Sequence, residues 1–196
     1  MLHRLNPHYI LNKLYYLYMF RQLRGGVDIS SRIRGRKYMQ VGKNFAAGKH
    51  LWLEAVSEYK GQKFHPTIVI KDNVSMSDFN HIGAVNYVEI GNHVLFGSKC
   101  YVTDHNHGIY SGGAQSGPDT PPTERPLTGD KKVIIEDNVW LGDNVTVLPG
   151  VTIGRGSIIG SNAVVSKSIP PGSIAVGIPA RVIKRWDGEI KMWRTV

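Results

Sequence analysis

The ten residues YVTDHNHGIY, Tyr101 to Tyr110, set a carboxylate and two imidazoles within four positions: Asp104, His105 and His107. Imidazole, with an unperturbed pKa of about 6.5, is well matched to taking and returning a proton near neutral pH. Such a base can activate a nucleophile, provided a backbone carbonyl or a carboxylate fixes its tautomer. Asp104 is too close in sequence to be assigned that task. His107 shares a face with His105 if the segment is extended, and is the second candidate.

These residues fall where a regular pattern stops. From Ile135 in steps of six the chain reads Ile135, Leu141, Val147, Ile153, Ile159 and Val165. Four positions after each come Val139, Val145, Val151, Ser157, Ala163 and Ile169, all small or branched. Between them lie Asp-Asn, Asp-Asn, Pro-Gly, Arg-Gly, Ser-Asn and Lys-Ser, which is turn chemistry. Upstream, Ile70, Met76 and Ile82 keep the beat, and Ile90, Phe96 and Val102 resume it after a two-residue slip. A weaker version runs through Ile29, Gly35, Val41, Ala47 and Leu53.

A period of six fits neither a helix nor a long hairpin strand. It fits a short strand and a tight corner, repeated, with three corners closing each coil of a parallel β-helix. One hexapeptide cannot bury its aliphatic, but stacked coils place these residues in one interior column. Each contributes roughly 1.5–3 kcal/mol there, which offsets the ordering of the backbone only when summed along the column. The stretch GRGSIIG, Gly154 to Gly160, looks like a dinucleotide loop, yet it opens no helix and owes its glycines to the repeat.

The pattern resumes after an insertion at about residues 103–133 that is rich in Gly, Pro, Ser and Thr. A segment of that length inside a compact repeat is expected to serve a function, here as an arm over a neighbouring subunit that shapes an acceptor groove. The break in the rhythm lets a reactive side chain and a lid stand outside the packed column. The organisation expected is therefore a helix over 1–25, repeats over 26–178 and a tail over 179–196.

The 196 residues carry a formal net charge of +9, of which +7 lies in residues 1–37. The N-terminal segment also places Leu2, Leu5, Ile10, Leu11, Leu14, Leu17 and Tyr18 at spacings near three and four, as an amphipathic helix requires. Tyr15, Tyr16 and Phe20 broaden its apolar side, and Arg4, Lys13, Arg21 and Arg24 supply charge. Such a helix is expected to cap the first coil and, further, to rest against an anionic surface such as the inner membrane. No nucleic-acid motif is present, so nucleic acid is not an expected partner. The chain has no secretory signal pattern, no apolar run long enough to span a bilayer, and a single cysteine, Cys100, at a small-apolar repeat position. A buried, inert thiol and a cytoplasmic location, possible contact with the inner membrane aside, are the expectations.

Residues 134–185, IIEDNVWLGDNVTVLPGVTIGRGSIIGSNAVVSKSIPPGSIAVGIPARVIKR, resemble the hexapeptide-repeat acetyltransferases. The nearest likeness is to the maltose, galactoside and cell-surface polysaccharide O-acetyltransferases. The resemblance is specific over 134–185, fair over 68–110 and thin before 60. It implies a left-handed parallel β-helix, a homotrimer, acetyl-CoA as donor and no metal; handedness rests on the resemblance alone.

It also implies roles. The family's catalytic histidine follows a Tyr-Thr-x-x-His stretch, matched here by YVTDH, which assigns the base to His105. The family's indole beside the coenzyme matches Trp140, and coenzyme contacts map to Asp143, Ser161, Ser166, Lys167, Arg181 and Lys184. A family asparagine facing the acceptor sugar falls near Asn80, and His107 joins it as a substrate-binding candidate. Two features depart from the family: Asp143 replaces a small hydroxyl residue, and the insertion is longer than in the small-sugar enzymes. The implied acceptor is a sugar hydroxyl of a lipopolysaccharide O-antigen or other surface polysaccharide, free or on a lipid-linked glycan. Alternatives are another small hydroxyl acceptor, such as a free sugar or an antibiotic, and a zinc lyase of the carbonic anhydrase kind using His81, His105 and His107.

Overall fold

The computed structural model describes residues 6–22 and 24–196. It is built almost wholly of short strands in three parallel sheets that the chain visits in rotation. The first sheet takes Gly25–Val27, Phe45–Ala47, Ser75–Met76, Leu95–Phe96, Trp140–Leu141, Ile158–Ile159 and Ser173–Val176. The second takes Arg32–Arg34, Trp52–Ala55, His81–Ala84, Tyr101–Thr103, Thr146–Val147 and Val164–Val165. The third takes Met39–Val41, Thr67–Ile70, Tyr87–Ile90, Lys132–Ile135 and Thr152–Ile153.

Register explains the six-residue period. Phe96 pairs with Leu141 and Leu141 with Ile159; Val102 pairs with Val147 and Val147 with Val165. All six aliphatics from Ile135 to Val165 are buried to 0% exposure. The corners use the turn residues as the pairs predict: Asn138, Asn144, Gly150, Gly156 and Asn162 all have positive φ, between 57° and 86°. A carboxylate often locks the corner. Asp143 Oδ1 accepts from Ser98 N at 2.6 Å, and a Cβ at Gly97 would lie 2.5 Å from that same oxygen, so only glycine lets the coils approach this closely.

The upstream column is differently phased from the expected one. Ile33 pairs with Leu53 and Val27 with Ala47, so the column runs Val27, Ile33, Val41, Ala47, Leu53. Ile29 is 44% exposed and Gly35 starts a 3-10 turn over Arg36–Tyr38, which adds two residues to that corner.

The N-terminal helix spans Pro7–Phe20, started by Asn6, whose side chain accepts from His8 N at 2.9 Å, and by Pro7 in the first turn. Tyr16 is fully buried against the first coil, and Phe20 meets Phe45 edge-on at 6.1 Å. The expected apolar stripe does not make this contact: Ile10, Leu11, Leu14, Leu17 and Tyr18 are exposed, while Leu2, Arg4 and Leu5 lie outside the described residues. At the other end the tail is no loose extension. Arg181–Asp187 and Met192–Thr195 add two antiparallel strands to the first sheet.

Candidate active site

The stretch Tyr101–Tyr110 leaves the second sheet at Thr103 and bends at Asp104. The bend turns both side chains to one side, and Asp104 Oδ1 lies 2.9 Å from His105 Nδ1. The carboxylate of Asp104 has no exposed side-chain surface. It accepts from the backbone N–H groups of Val85 at 3.0 Å and of Asn86 and Tyr87, each at 2.8 Å. Three backbone donors hold it in place and satisfy a charge that would otherwise be costly to bury. Adjacency in sequence argues against Asp104 as the tautomer-fixing partner, but the bend brings its carboxylate onto the ring.

The hydroxyl of Thr103 donates to the His105 carbonyl at 3.2 Å and its oxygen also lies 3.2 Å from Nδ1. Both neighbours of Nδ1 therefore accept, which places the proton on Nδ1 and leaves the Nε2 lone pair free. The His105 side chain is 14% exposed. Its Cε1 faces Gly83, where an added Cβ would stand 3.4 Å from it and 3.9 Å from His81 Nε2. Gly83 thus lies against the rings of both imidazoles.

His81 was named in the sequence only as a zinc-ligand candidate. Its ring stacks on Trp52 at 4.1 Å and 8°, and Tyr101 leans on its other side at 5.1 Å. Pairing of His81 with Trp52 and with Tyr101 in the second sheet produces this ladder. Burial holds the His81 pKa below its ordinary value; Glu54 pulls it up and His105 pushes it further down. The one sequence signal for it is its place just before Ile82 in the column, which puts it on the outer face beside the later Tyr101.

The other predicted residues divide. Asn80 is 1% exposed, donates to the carbonyls of Ser77 and Gly97, and accepts from Cys100 N, so it braces a corner and does not face an acceptor. His107 lies in a two-stranded antiparallel pair, Asn106–His107 with Leu127–Thr128, and its ring meets Tyr59 edge-on at 5.3 Å. The insertion is therefore ordered rather than structureless. It packs on an earlier excursion of its own chain, with Leu127 N donating to Gln62 Oε1 at 2.8 Å and Tyr59 OH to Thr123 O at 2.8 Å. Beneath it lies a cleft of about 460 Å³ lined by Asp104, Tyr110, Thr128, Lys131 and Pro149 among others, but not by His105.

Asp143 and Ser161 sit at corners between the first and second sheets. Asp143 caps Ser98 N, and Ser161 Oγ accepts from Asp143 N at 3.2 Å. Trp140 is 49% exposed on the first sheet. Ser166 and Lys167 are exposed at the corner that follows Val165, on the same edge as His105 and two coils beyond it. Arg181 and Lys184 are exposed on the tail hairpin. One chain thus brings His105, Ser166 and Lys167 to one edge and leaves Trp140, Asp143 and Ser161 across the second sheet from them. Among the described residues no three His, Cys, Asp or Glu side chains group as metal ligands, and His81, His105 and His107 do not converge.

This architecture agrees with what the chain is similar to. Residues 132–167 match the family described as bacterial transferase hexapeptide (six repeats). An Escherichia coli (strain K12) protein that carries the name of a lipopolysaccharide biosynthesis O-acetyl transferase, WbbJ, is 40% identical over 162 residues, 82% of this chain and 79% of that one. A galactoside O-acetyltransferase of Lactococcus lactis is 41% identical over 105 residues, 53% of this chain and 46% of its own. Among solved structures, the Bacillus cereus N-acyltransferase AntD superposes with a TM-score of 0.64 at 20% identity, covering 85% of this chain and 83% of its own. That last likeness is one of fold. The chain belongs to the hexapeptide-repeat acetyltransferases, and it is an enzyme.

Proposed function

We propose that the protein is an acetyl-CoA-dependent O-acetyltransferase acting on a sugar hydroxyl in lipopolysaccharide O-antigen or other surface-polysaccharide biosynthesis. The observation that carries this is the Asp104–His105 pair, which leaves Nε2 as a free base. His105 Nε2 takes the proton of the acceptor hydroxyl as its oxygen attacks the thioester carbonyl. The tetrahedral intermediate collapses, the C–S bond breaks, and His105 returns the proton to the departing thiolate. Asp104 keeps its charge throughout and stabilises the transient imidazolium. His81 stands where it can receive a hydrogen bond from, or give one to, a second hydroxyl of the acceptor.

The likeness to the WbbJ-named protein supports a polysaccharide acceptor. The three sheets are read as the left-handed parallel β-helix of this family, assembled as a homotrimer. The separation of Trp140, Asp143 and Ser161 from His105 within one chain supports that assembly, because a neighbouring copy can bring the two sets to one donor site. Lys167, Arg181 and Lys184 are the cations for the coenzyme phosphates. The test is transfer of radiolabelled acetyl from acetyl-CoA to nucleotide-linked, lipid-linked and free glycans. Alkali-labile label on a glycan, absent with His105→Ala, is the expected result. Label on an amine instead, or transfer unaffected by His105→Ala, would overturn the reading.

A further inference from the structure

The N-terminal helix docks by one face and, among the described residues, leaves a different apolar face bare. Inward, Tyr16 is buried, Tyr15 OH donates to Ser31 O at 3.0 Å, and Lys13 Nζ donates to the Gly25 carbonyl. His8 and Asn12 both hold the Asp28 carboxylate, at 2.7 and 3.0 Å. Outward, Ile10, Leu11, Leu14, Leu17 and Tyr18 are 39–74% exposed. Their positions follow the helical repeat, so they form one stripe along the helix. A soluble helix does not ordinarily turn five large apolar side chains to water while polar ones face its own protein.

The charge along the helix segment is of one sign. No Asp or Glu occurs before Asp28, and Asp28 is buried and engaged by His8, Asn12 and Ser30. Basic groups gather at the helix's C-terminal end. Arg21 and Arg24 are exposed, Lys37 is exposed, and Arg36 Nη1 donates to the Tyr18 carbonyl at 2.8 Å. A second copy packed stripe to stripe would find no carboxylate on either helix to answer these cations. An anionic bilayer surface answers both features, because it offers an acyl boundary to the stripe and phosphates to the basic cluster.

We propose that this helix seats the enzyme on an anionic membrane, with Ile10, Leu11, Leu14, Leu17 and Tyr18 in the acyl boundary and Arg21, Arg24, Arg36 and Lys37 at lipid phosphates. The inference goes beyond the catalytic reading and does not depend on the acceptor. It has a consequence for it: three rungs, roughly 15 Å at the usual strand spacing, separate the coil beneath the helix from the coil that carries His105. An acceptor anchored in the same bilayer would present a hydroxyl a few sugar units above its lipid.

The test is flotation of the full chain with vesicles of phosphatidylglycerol and phosphatidylcholine in equal parts, against pure phosphatidylcholine, at low and high salt. The wild type should float with the anionic vesicles at low salt and be released at high salt. Leu11→Glu/Leu14→Glu should reduce binding at least tenfold, and so should Leu14→Ser/Tyr18→Ser, each with unchanged circular dichroism and thermal unfolding. Arg21→Gln/Arg24→Gln should weaken binding and flatten its salt dependence. No binding by the wild type to anionic vesicles at low salt would overturn the proposal. Wild-type binding by both stripe variants would do so too, because the attraction would then be of charge alone. A change of oligomeric mass in the stripe variants would assign the face to a subunit contact and also end the proposal.

Discussion

Asp104 and His105 are consecutive residues whose side chains meet at 2.9 Å, and the carboxylate that makes this contact is pinned by the N–H groups of Val85, Asn86 and Tyr87. Those donors lie at the corner between the second and third sheets one coil earlier. The orientation of the His105 ring therefore depends on the stacking of two coils, and the two side chains form a unit.

His105→Ala is expected to lower kcat by roughly 10²–10⁴, the range for loss of a general base, with coenzyme affinity retained. Asp104→Asn should lower kcat and also destabilise the fold by about 1–3 kcal/mol, since an amide nitrogen turned toward backbone donors leaves them unsatisfied. His107→Ala, on the far side of the bend, should change kcat only a few-fold. Steady-state kinetics with urea unfolding separate the three, and full activity in Asp104→Asn would refute the pairing.

His81 has a depressed pKa, chiefly because the Trp52–Tyr101 ladder buries it. Below the ordinary histidine pKa of about 6.5 the unfolded chain then binds more protons than the folded one, so stability rises with pH across that window and falls as it is acidified. His81→Gln should lose less stability than the wild type between pH 7 and pH 5.5 in urea titrations. Parallel losses in the two proteins would show that the ladder does not perturb this ring.

Cys100 is 1% exposed, and burial pushes its thiol up to about 11. A disulfide-exchange reagent at pH 8 should therefore react with the native protein only after urea is added. Cys100→Ala should keep full kcat and cost about 1 kcal/mol of stability. Prompt labelling of the native thiol would contradict the packing.

Arg125 organises the inserted segment from within, donating to Tyr110 OH at 2.9 Å, to Thr120 O at 2.9 Å and to Pro118 O at 3.3 Å. Arg125→Ala removes all three donors at once. Hydrogen exchange over residues 109–124 should rise while the coils stay protected. Unchanged protection there would mean that Gln62 and Tyr59 alone hold the segment.

Lys167→Ala and Arg181→Ala should raise KM for acetyl-CoA and leave KM for the acceptor nearly unchanged, because charge-assisted contacts to phosphate act on the donor. A rise in the acceptor KM alone would remove both residues from the coenzyme site.

The sequence by itself determined the repeat, its interior column and its corners from Ile135 to Val165. The reason is physical: in a stacked coil each residue meets its counterpart one turn away, so spacing along the chain is already spacing in space. It also marked the stretch that holds His105, because the break in the period shows where a side chain can leave the column. Tertiary structure decided what depends on contacts with no fixed spacing. It turned Asp104 onto its neighbour by way of donors 17 to 19 residues upstream. It set His81 over Gly83 beside His105, and engaged Asn80 and Asp143 in corners. It phased the first coils on Val27 and Ile33, because a 3-10 turn of ordinary composition lengthens one corner. And it chose which face of the helix to bury. Periodicity favours the stripe of Ile10, Leu11, Leu14 and Leu17, yet Tyr16 and Phe20 fit the open end of the coil against Phe45, and the buried Asp28 draws His8 and Asn12 down to it. Shape and a single carboxylate outweigh the hydrophobic count, and they leave the stripe outside.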